Sequence, residues 1–256
     1  MRTDASGMSQ PLLVIDIGNT AVKSGWFDRA SRTTRAAARG VSSGEVDDAA
    51  RWAGCPAPVE IVVGSVVRGA VDRLATAMPT EWPRPRELAA TDFGLSLDVS
   101  EPNRVGIDRV AAAAAAVCIW QSPCVVIDFG TAVTIDAADD STFFGGLIAP
   151  GPQMLLDAMH ARTDALPPLD WNRDVAAAAD RSWIGRNTTA AMAIATRGLM
   201  TFGIDSLIDR VATELRSRSG RPAVIVRTGG AELPLDRDDI QTVPDLTLRG
   251  LALAAI

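Results

Sequence analysis

Two stretches constrain this chain more than anything else in it: "LLVIDIGNTAVKSGWFD" at residues 12–28 and "CVVIDFGTAVTID" at 124–136. Each begins with a run of Leu, Val and Ile that ends in an aspartate. A glycine and small polar residues follow, and then a second run. A short β-branched run bounded by turn residues reads as a strand buried on both faces. The glycine turn and returning run make each stretch a hairpin. A chain that buries two such strands and tips each with a carboxylate is expected to repeat one architecture twice. No sequence-level repeat accompanies the two hairpins.

The intervening segments read as mixed strands and helices, so the fold class is α/β. Residues 34–55 are alanine-rich and read as helix. "VEIVVGSVV" (59–67) reads as a buried strand before a helix over 69–77. Arg109 to Trp120, with six consecutive alanines, reads as a closely packed helix. After the second hairpin comes a third strand within "STFFGGLIAPG". Helices follow over 152–165, within 173–182 and within 187–216. "PAVIVRTGG" (222–230) is a strand ending in a glycine turn, and "LTLRGLALAAI" closes the chain as a helix. A domain boundary is expected near 110–122, giving domains 1–115 and 116–256.

Composition removes several classes. The 256 residues are 47% hydrophobic, which suffices for a sizeable core, and the formal net charge is −6. No basic block is present, so neither nucleic-acid nor membrane-surface binding is expected. Cys55, Cys118 and Cys124 are odd in number and lack metal or redox spacing, which points to a reducing, cytoplasmic setting. The opening "MRTDASGMSQP" lacks the apolar core of a signal peptide, and no uninterrupted apolar run of about 18 residues occurs. His160 is the only histidine and is expected to be structural, so no histidine metal pair or Ser/His/Asp set is available.

The chemistry concentrates at turns. In Asp16-Ile17-Gly18-Asn19-Thr20-Ala21-Val22-Lys23, the glycine turn lets backbone N–H groups approach an anion, with Asn and Thr adding donors. Asp16 can hold a hydrated Mg²⁺, and Lys23 offers a compact charge to a phosphate. Of 25 basic residues, Lys23 is the one lysine. Asp128-Phe129-Gly130-Thr131 repeats the pattern, and two such hairpins facing each other would clasp a triphosphate. Thr228-Gly229-Gly230 leaves room for a flat ring. In Gly106-Ile107-Asp108-Arg109 the acid either complements a helix dipole or serves as general base for a hydroxyl nucleophile, with Arg109 gripping a carboxylate.

Taken in order, "DIGNT..K", "GSVV", "GIDR", "DFGTAVTID", "FGGLIAPG", "TDALP", "GRNT" and "TGG" resemble the type III pantothenate kinases over residues 12 to 254. The resemblance implies two ribonuclease-H-like domains of the acetate and sugar kinase/Hsp70/actin fold around a nucleotide cleft. It implies ATP-dependent phosphorylation of pantothenate, the first step towards coenzyme A, with Mg²⁺ accompanying ATP, a monovalent cation (K⁺ or NH₄⁺) and a homodimer. By position, Asp16 to Lys23 become the first phosphate loop, Asp108 the proton acceptor, and Gly106 to Arg109 the pantothenate site. Asp128 becomes the cation ligand. Thr131, Gly229 and Gly230 become ATP contacts, and Thr188 a pantothenate contact. Two departures stand out: Val99 falls where the family often has a tyrosine, and the "NT" threonine aligns with Thr188 or Thr189. A non-catalytic nucleotide-binding regulator and another small-molecule kinase or phosphatase share the scaffold; "GIDR" favours the pantothenate kinase.

Overall fold

The computed structural model describes residues 11–28, 33–38, 57–176, 182–230, 233 and 235–255. In chain order, strands β1 (Pro11–Ile17), β2 (Val22–Asp28), β3 (Thr33–Ala38) and β4 (Glu60–Ser65) precede helix α1 (Ala70–Ala77). Short strands β5 (Arg86–Glu87) and β6 (Ser96–Leu97) lead to helix α2 (Ile107–Trp120). Strands β7 (Cys124–Phe129), β8 (Ala132–Ala138) and β9 (Thr142–Pro150) follow, then helices α3 (Pro152–Ala161), α4 (Thr188–Gly198) and α5 (Ile204–Ser219). Strands β10 (Val224–Gly229) and β11 (Ile240–Thr242) and helix α6 (Leu246–Leu253) close the chain.

The chain divides into two compact units. The first comprises residues up to Ile119 with Asp140–Phe143 and Asp245–Ile256; the second comprises Trp120–Asp139 and Phe144–Pro244. The sheet of the first runs β3-β2-β1-β4-β5, and in the second the order β9-β8-β7-β10-β11 recurs. Counted from the first strand of each unit, both orders are 3-2-1-4-5. In both, a central strand pairs antiparallel with its hairpin partner and parallel with a later strand. The duplication expected from the two hairpins is therefore present in the topology.

In the first unit the alternation along β1 sorts its side chains. Leu13, Ile15 and Ile17 pack with Ala70 and Leu74 of α1. Leu12 and Val14 pack on the opposite face with Ile107 and Ala111 of α2 and Leu248 and Leu251 of α6. Every residue of β1 is buried, and each large aliphatic contributes about 1.5–3 kcal/mol by leaving water. The alanines of α2 let α6 approach so closely that a Cβ on Gly250 would strike the carbonyl oxygen of Ala111. At the start of β9, Thr142 and Phe143 belong to this unit and pair with Ser96 and Leu97 of β6.

The second unit has its own core. Val125, Ile127 and Phe129 of β7 meet Val133 and Ile135 of β8, Leu156 of α3, and Met192, Met200, Ile204 and Ile208 of the helical run. That run is continuous from Thr188 to Ser219, with a π-helical turn at Leu199–Gly203 joining α4 to α5. Its 32 residues include an 18-residue window with mean hydropathy 1.2. By length and composition this segment could cross a membrane, a test that a core helix also passes. Here one face of it is packed into the core.

Three segment assignments are corrected. Residues 34–38, read as helix, lie in β3, paired with β2 from Ser24↔Ala38 to Asp28↔Thr33 around a bulge at Trp26/Phe27. Ladder pairing outweighs alanine's modest intrinsic preference for helix; the rest of that stretch lies outside the described residues. Helix 152–165 stops at Ala161, where the Thr163 hydroxyl donates to the Met159 carbonyl at 2.8 Å. Residues 171–176 form a π-helical turn in place of the start of a helix over 173–182, and 177–181 lie outside the described residues.

The α2–α6 contact yields a stability prediction. Gly250→Ala forces backbone apart and should cost about 1–3 kcal/mol or more. In Gly64→Ala the new methyl meets only the mobile end of Leu251, 2.6 Å away, and should cost less. Urea unfolding of both variants checks the order; an equal loss would contradict it.

Candidate functional site

Asp16 lies on the face of β1 that Leu12 and Val14 occupy, one residue before the strand ends, and is only 7% exposed. In register it faces Lys23 on β2 and Gly64 on β4, so an acid and an ammonium stem rise from neighbouring strands on one face. The turn beyond is closed by the Gly18 N–H donating to the Ala21 carbonyl at 3.0 Å. Ile17 and Val22 are fully buried and anchor the turn, whereas Asn19 and Thr20 are exposed. The "GSVV" segment lies alongside: the Val66 N–H donates to the Ile17 carbonyl at 3.1 Å, and the Ser65 hydroxyl donates to the Val67 carbonyl at 3.0 Å.

The second hairpin carries Asp128 in the equivalent place, in register with Thr134 on β8 and Thr228 on β10. Its turn is closed by the Gly130 N–H on the Ala132 carbonyl at 3.1 Å, and Thr131 is exposed at its tip. Gly229 and Gly230 come directly to this point. Gly229 has φ +97°, and a Cβ there would lie 2.5 Å from Asp128 Oδ1 and 2.5 Å from the Phe129 nitrogen. The Gly230 N–H donates to the Phe129 carbonyl at 3.0 Å. Glycine is required there because the Asp128 carboxylate and the Phe129 backbone fill the space a side chain would need.

Sequence reasoning takes Pro150-Gly151 only as shaping a loop into a helix, yet Gly151 belongs to the same cluster. Its N–H donates to the Thr131 carbonyl at 3.1 Å, and a Cβ on it would strike that carbonyl oxygen. The "APG" segment therefore starts α3 directly against the second turn. Gly146 is equally tight against β8 at Ile135 and Asp136. The detectable signal was a glycine pair inside a strand, which marks close backbone approach.

At the start of α2, Ile107 is buried while Gly106, Asp108 and Arg109 are half-buried. Asp108 Oδ1 accepts from the Arg109 N–H at 2.9 Å, and a Cβ on Gly106 would lie 2.5 Å from that oxygen. Gly106 is therefore small because the carboxylate occupies the space beside it. The Arg109 guanidinium lies 5.8 Å from the centre of the Phe143 ring. Thr188 is the exposed first residue of α4, capped by Asn187, whose side chain accepts from the Ala190 N–H at 2.8 Å. Thr189, the alternative alignment, is exposed one residue on, and Val99 is half-buried just beyond β6. His160 Nδ1 is 2.7 Å from the Leu166 carbonyl and tethers the chain after α3.

Within the first unit the structure displays the Asp16–Lys23 hairpin and the Gly106–Arg109 turn. Within the second it gathers Asp128, Thr131, Gly229 and Gly230. Thr188 is at the head of the helix that walls an apolar groove. Among the described residues no three His, Cys, Asp or Glu side chains converge as a metal cage. Single carboxylates beside open turns suit Mg²⁺ that is held mainly by phosphate and water. At the second tip the Asp128 carboxylate, with neutral Thr134 and Thr228 beside it in register, is an oxygen donor of the kind a cation takes.

Comparison with known proteins follows the same lines. The type III pantothenate kinase family profile matches residues 12–214. A type III pantothenate kinase of Rhizorhabdus wittichii is 30% identical over 94% of this chain and 96% of its own length. One of Gluconobacter oxydans is 32% identical over 95% and 92%. Among solved structures, a protein titled a Baf family transcriptional activator from Campylobacter jejuni superposes with TM-score 0.57 at 20% identity, covering 94% of this chain and 96% of that one. One titled a 2-dehydro-3-deoxygalactonokinase from Sinorhizobium meliloti gives 0.52 at 15% identity, covering 95% and 98%. At these identities the structural likeness is one of fold, that of the acetate and sugar kinase/Hsp70/actin group.

Proposed function

The chain belongs to the type III pantothenate kinase family, and on that premise we propose how its residues divide the work. The activity is transfer of the γ-phosphoryl group of ATP to pantothenate, giving 4′-phosphopantothenate for coenzyme A synthesis. Asp108 accepts the proton of the 4′-hydroxyl as that oxygen bonds to the γ-phosphorus and the bond to the β–γ bridging oxygen breaks. The Asp108 carboxylate supports this role because its position is fixed by Gly106 and the Arg109 N–H. An ionised carboxylate within reach of a hydroxyl contributes about 10²–10⁴-fold.

Arg109 binds the pantothenate carboxylate, and Gly106 and Ile107 complete that wall. The backbone donors and Asn19, Thr20 and Lys23 of the first turn receive ATP phosphates, with Asp16 beside the metal. Thr131, Gly229 and Gly230 also meet ATP. Asp128 would hold K⁺ or NH₄⁺ through its carboxylate at the second tip. Mg²⁺ and the monovalent cation, when bound, neutralise charge developing on the phosphates. The setting is the cytoplasm.

The working form is a homodimer. Trp183, Ile184, Leu199 and Phe202 are 68, 77, 67 and 54% exposed. Trp183, Leu199 and Phe202 line a groove of about 630 Å³ together with Ala191, Ile194 and Gly198. Large apolar side chains exposed together mark an association surface. A second copy on this face would bring Thr188, at the head of the same helix, to its partner's pantothenate.

The deciding experiment is ADP release from ATP by the purified chain. ADP should form with pantothenate and K⁺, and fall to background without pantothenate or with Na⁺ alone; pantothenate-independent release would overturn the assignment. Asp108→Asn should lower kcat by at least about 10²-fold with ATP affinity unchanged. Gly106→Ala should lower kcat about tenfold or more while barely moving the unfolding midpoint, since the new methyl displaces only the end of Asp108. Near-normal turnover in both variants would refute the base. Leu199→Glu should give a monomer in sedimentation equilibrium with reduced pantothenate use. A wild-type chain that sediments as a fully active monomer would refute the shared site.

A further inference from the structure

We propose that Arg227 is a positioning residue that holds the Gly229-Gly230 turn in shape for the base of ATP; this rests on the reading above that those glycines meet ATP. Arg227 lies two residues before Gly229 on β10 and is half-buried. Its guanidinium carbon lies 4.9 Å from the centre of the Phe129 ring, within the range of cation–π attraction. Its Nη1 donates to the Leu233 carbonyl at 3.0 Å. Phe129 is completely buried and Leu233 nearly so. Phe129 is also the residue that pairs in register with Gly229 and whose carbonyl accepts from the Gly230 N–H at 3.0 Å. One side chain therefore touches both the residue that holds the turn from below and a residue just beyond it, all within the second unit.

Two adjacent glycines make such a brace useful. Gly229 adopts φ +97°, a conformation that suits glycine, and glycine loses more backbone freedom on ordering than any other residue. A turn that must be ordered each time a ligand arrives spends part of the binding energy on that ordering. The Arg227–Leu233 bond ties residue 233 back to residue 227 across the turn, and a charged donor makes it stronger than a neutral one would. The strand end is held as well: the Arg227 carbonyl accepts from the Val243 N–H at 2.9 Å, just beyond β11. Gly230 is exposed, so the braced turn offers bare backbone to a flat ring. An aliphatic residue could pack on Phe129 but has no donor for the Leu233 carbonyl. The brace thus acts on the base end of the nucleotide and leaves the phosphates to the hairpins.

The test compares ATP with ribose 5-triphosphate, which carries the same phosphates without the base. Titration calorimetry on the full-length chain, with Mg²⁺ and without pantothenate, measures the affinity of each. Arg227→Met keeps the stem and removes the charge and the donor. It should weaken ATP about three- to tenfold, with ribose 5-triphosphate affinity, kcat at saturating ATP and KM for pantothenate unchanged. Equal losses on both ligands would make Arg227 merely structural and overturn the proposal, as would an unchanged ATP affinity. Arg227→Lys, which keeps the charge but not the planar fork, should shift the ratio of the two affinities in the same direction by less, and it decides alone if Arg227→Met does not fold. A wild-type chain that binds the two ligands equally would instead refute the reading that Gly229 and Gly230 receive the base. A wild-type preference for ATP that survives both substitutions refutes only the role of Arg227.

Discussion

A central strand covered on both faces has no room for a charged side chain along its length, and this constraint organises the molecule. β1 and β7 each have strands on both sides and side chains buried on both faces, so a carboxylate becomes tolerable only where the ladder is about to end. Asp16 and Asp128 stand at that point, one residue before the last of each strand. Everything polar gathers there because it is the first place the backbone can release donors without burying them unpaired. The glycines follow from the same crowding. Gly229 and Gly151 bring separate segments within touching distance of the second turn, where any side chain would displace the carboxylate or the turn itself.

Much of this could be read from the sequence because it is local. Period, β-branched content and turn residues identified both hairpins, and the acid ending each apolar run marked the tip. What was misread depended on partners distant in the chain. Residues 34–38 carry an alanine pattern that suits a helix, and only the available edge of β2 makes them a strand. Gly151 looked like a loop-shaping residue, because nothing nearby in sequence announces that Thr131 will lie against it. The groove at Trp183 and Phe202 was also illegible, because its exposed aromatics come from the segments that flank α4.

The two halves share a strand order but not a charge pattern, and the difference bears on what each tip can hold. Asp16 faces Lys23 across the ladder, so its negative charge already has a compact positive neighbour at cross-strand distance. Asp128 faces Thr134 and Thr228, both neutral. The proposed roles follow this asymmetry: the monovalent cation is assigned to the second carboxylate, and a phosphate to the first hairpin, where Lys23 and the turn N–H groups supply positive potential. The same asymmetry gives a reason for the solitary lysine in a chain that otherwise uses arginine. Opposite a nearly buried carboxylate, a compact head on a flexible stem can serve the acid and a phosphate in turn, whereas a planar fork locked bidentate onto Asp16 would be committed to it.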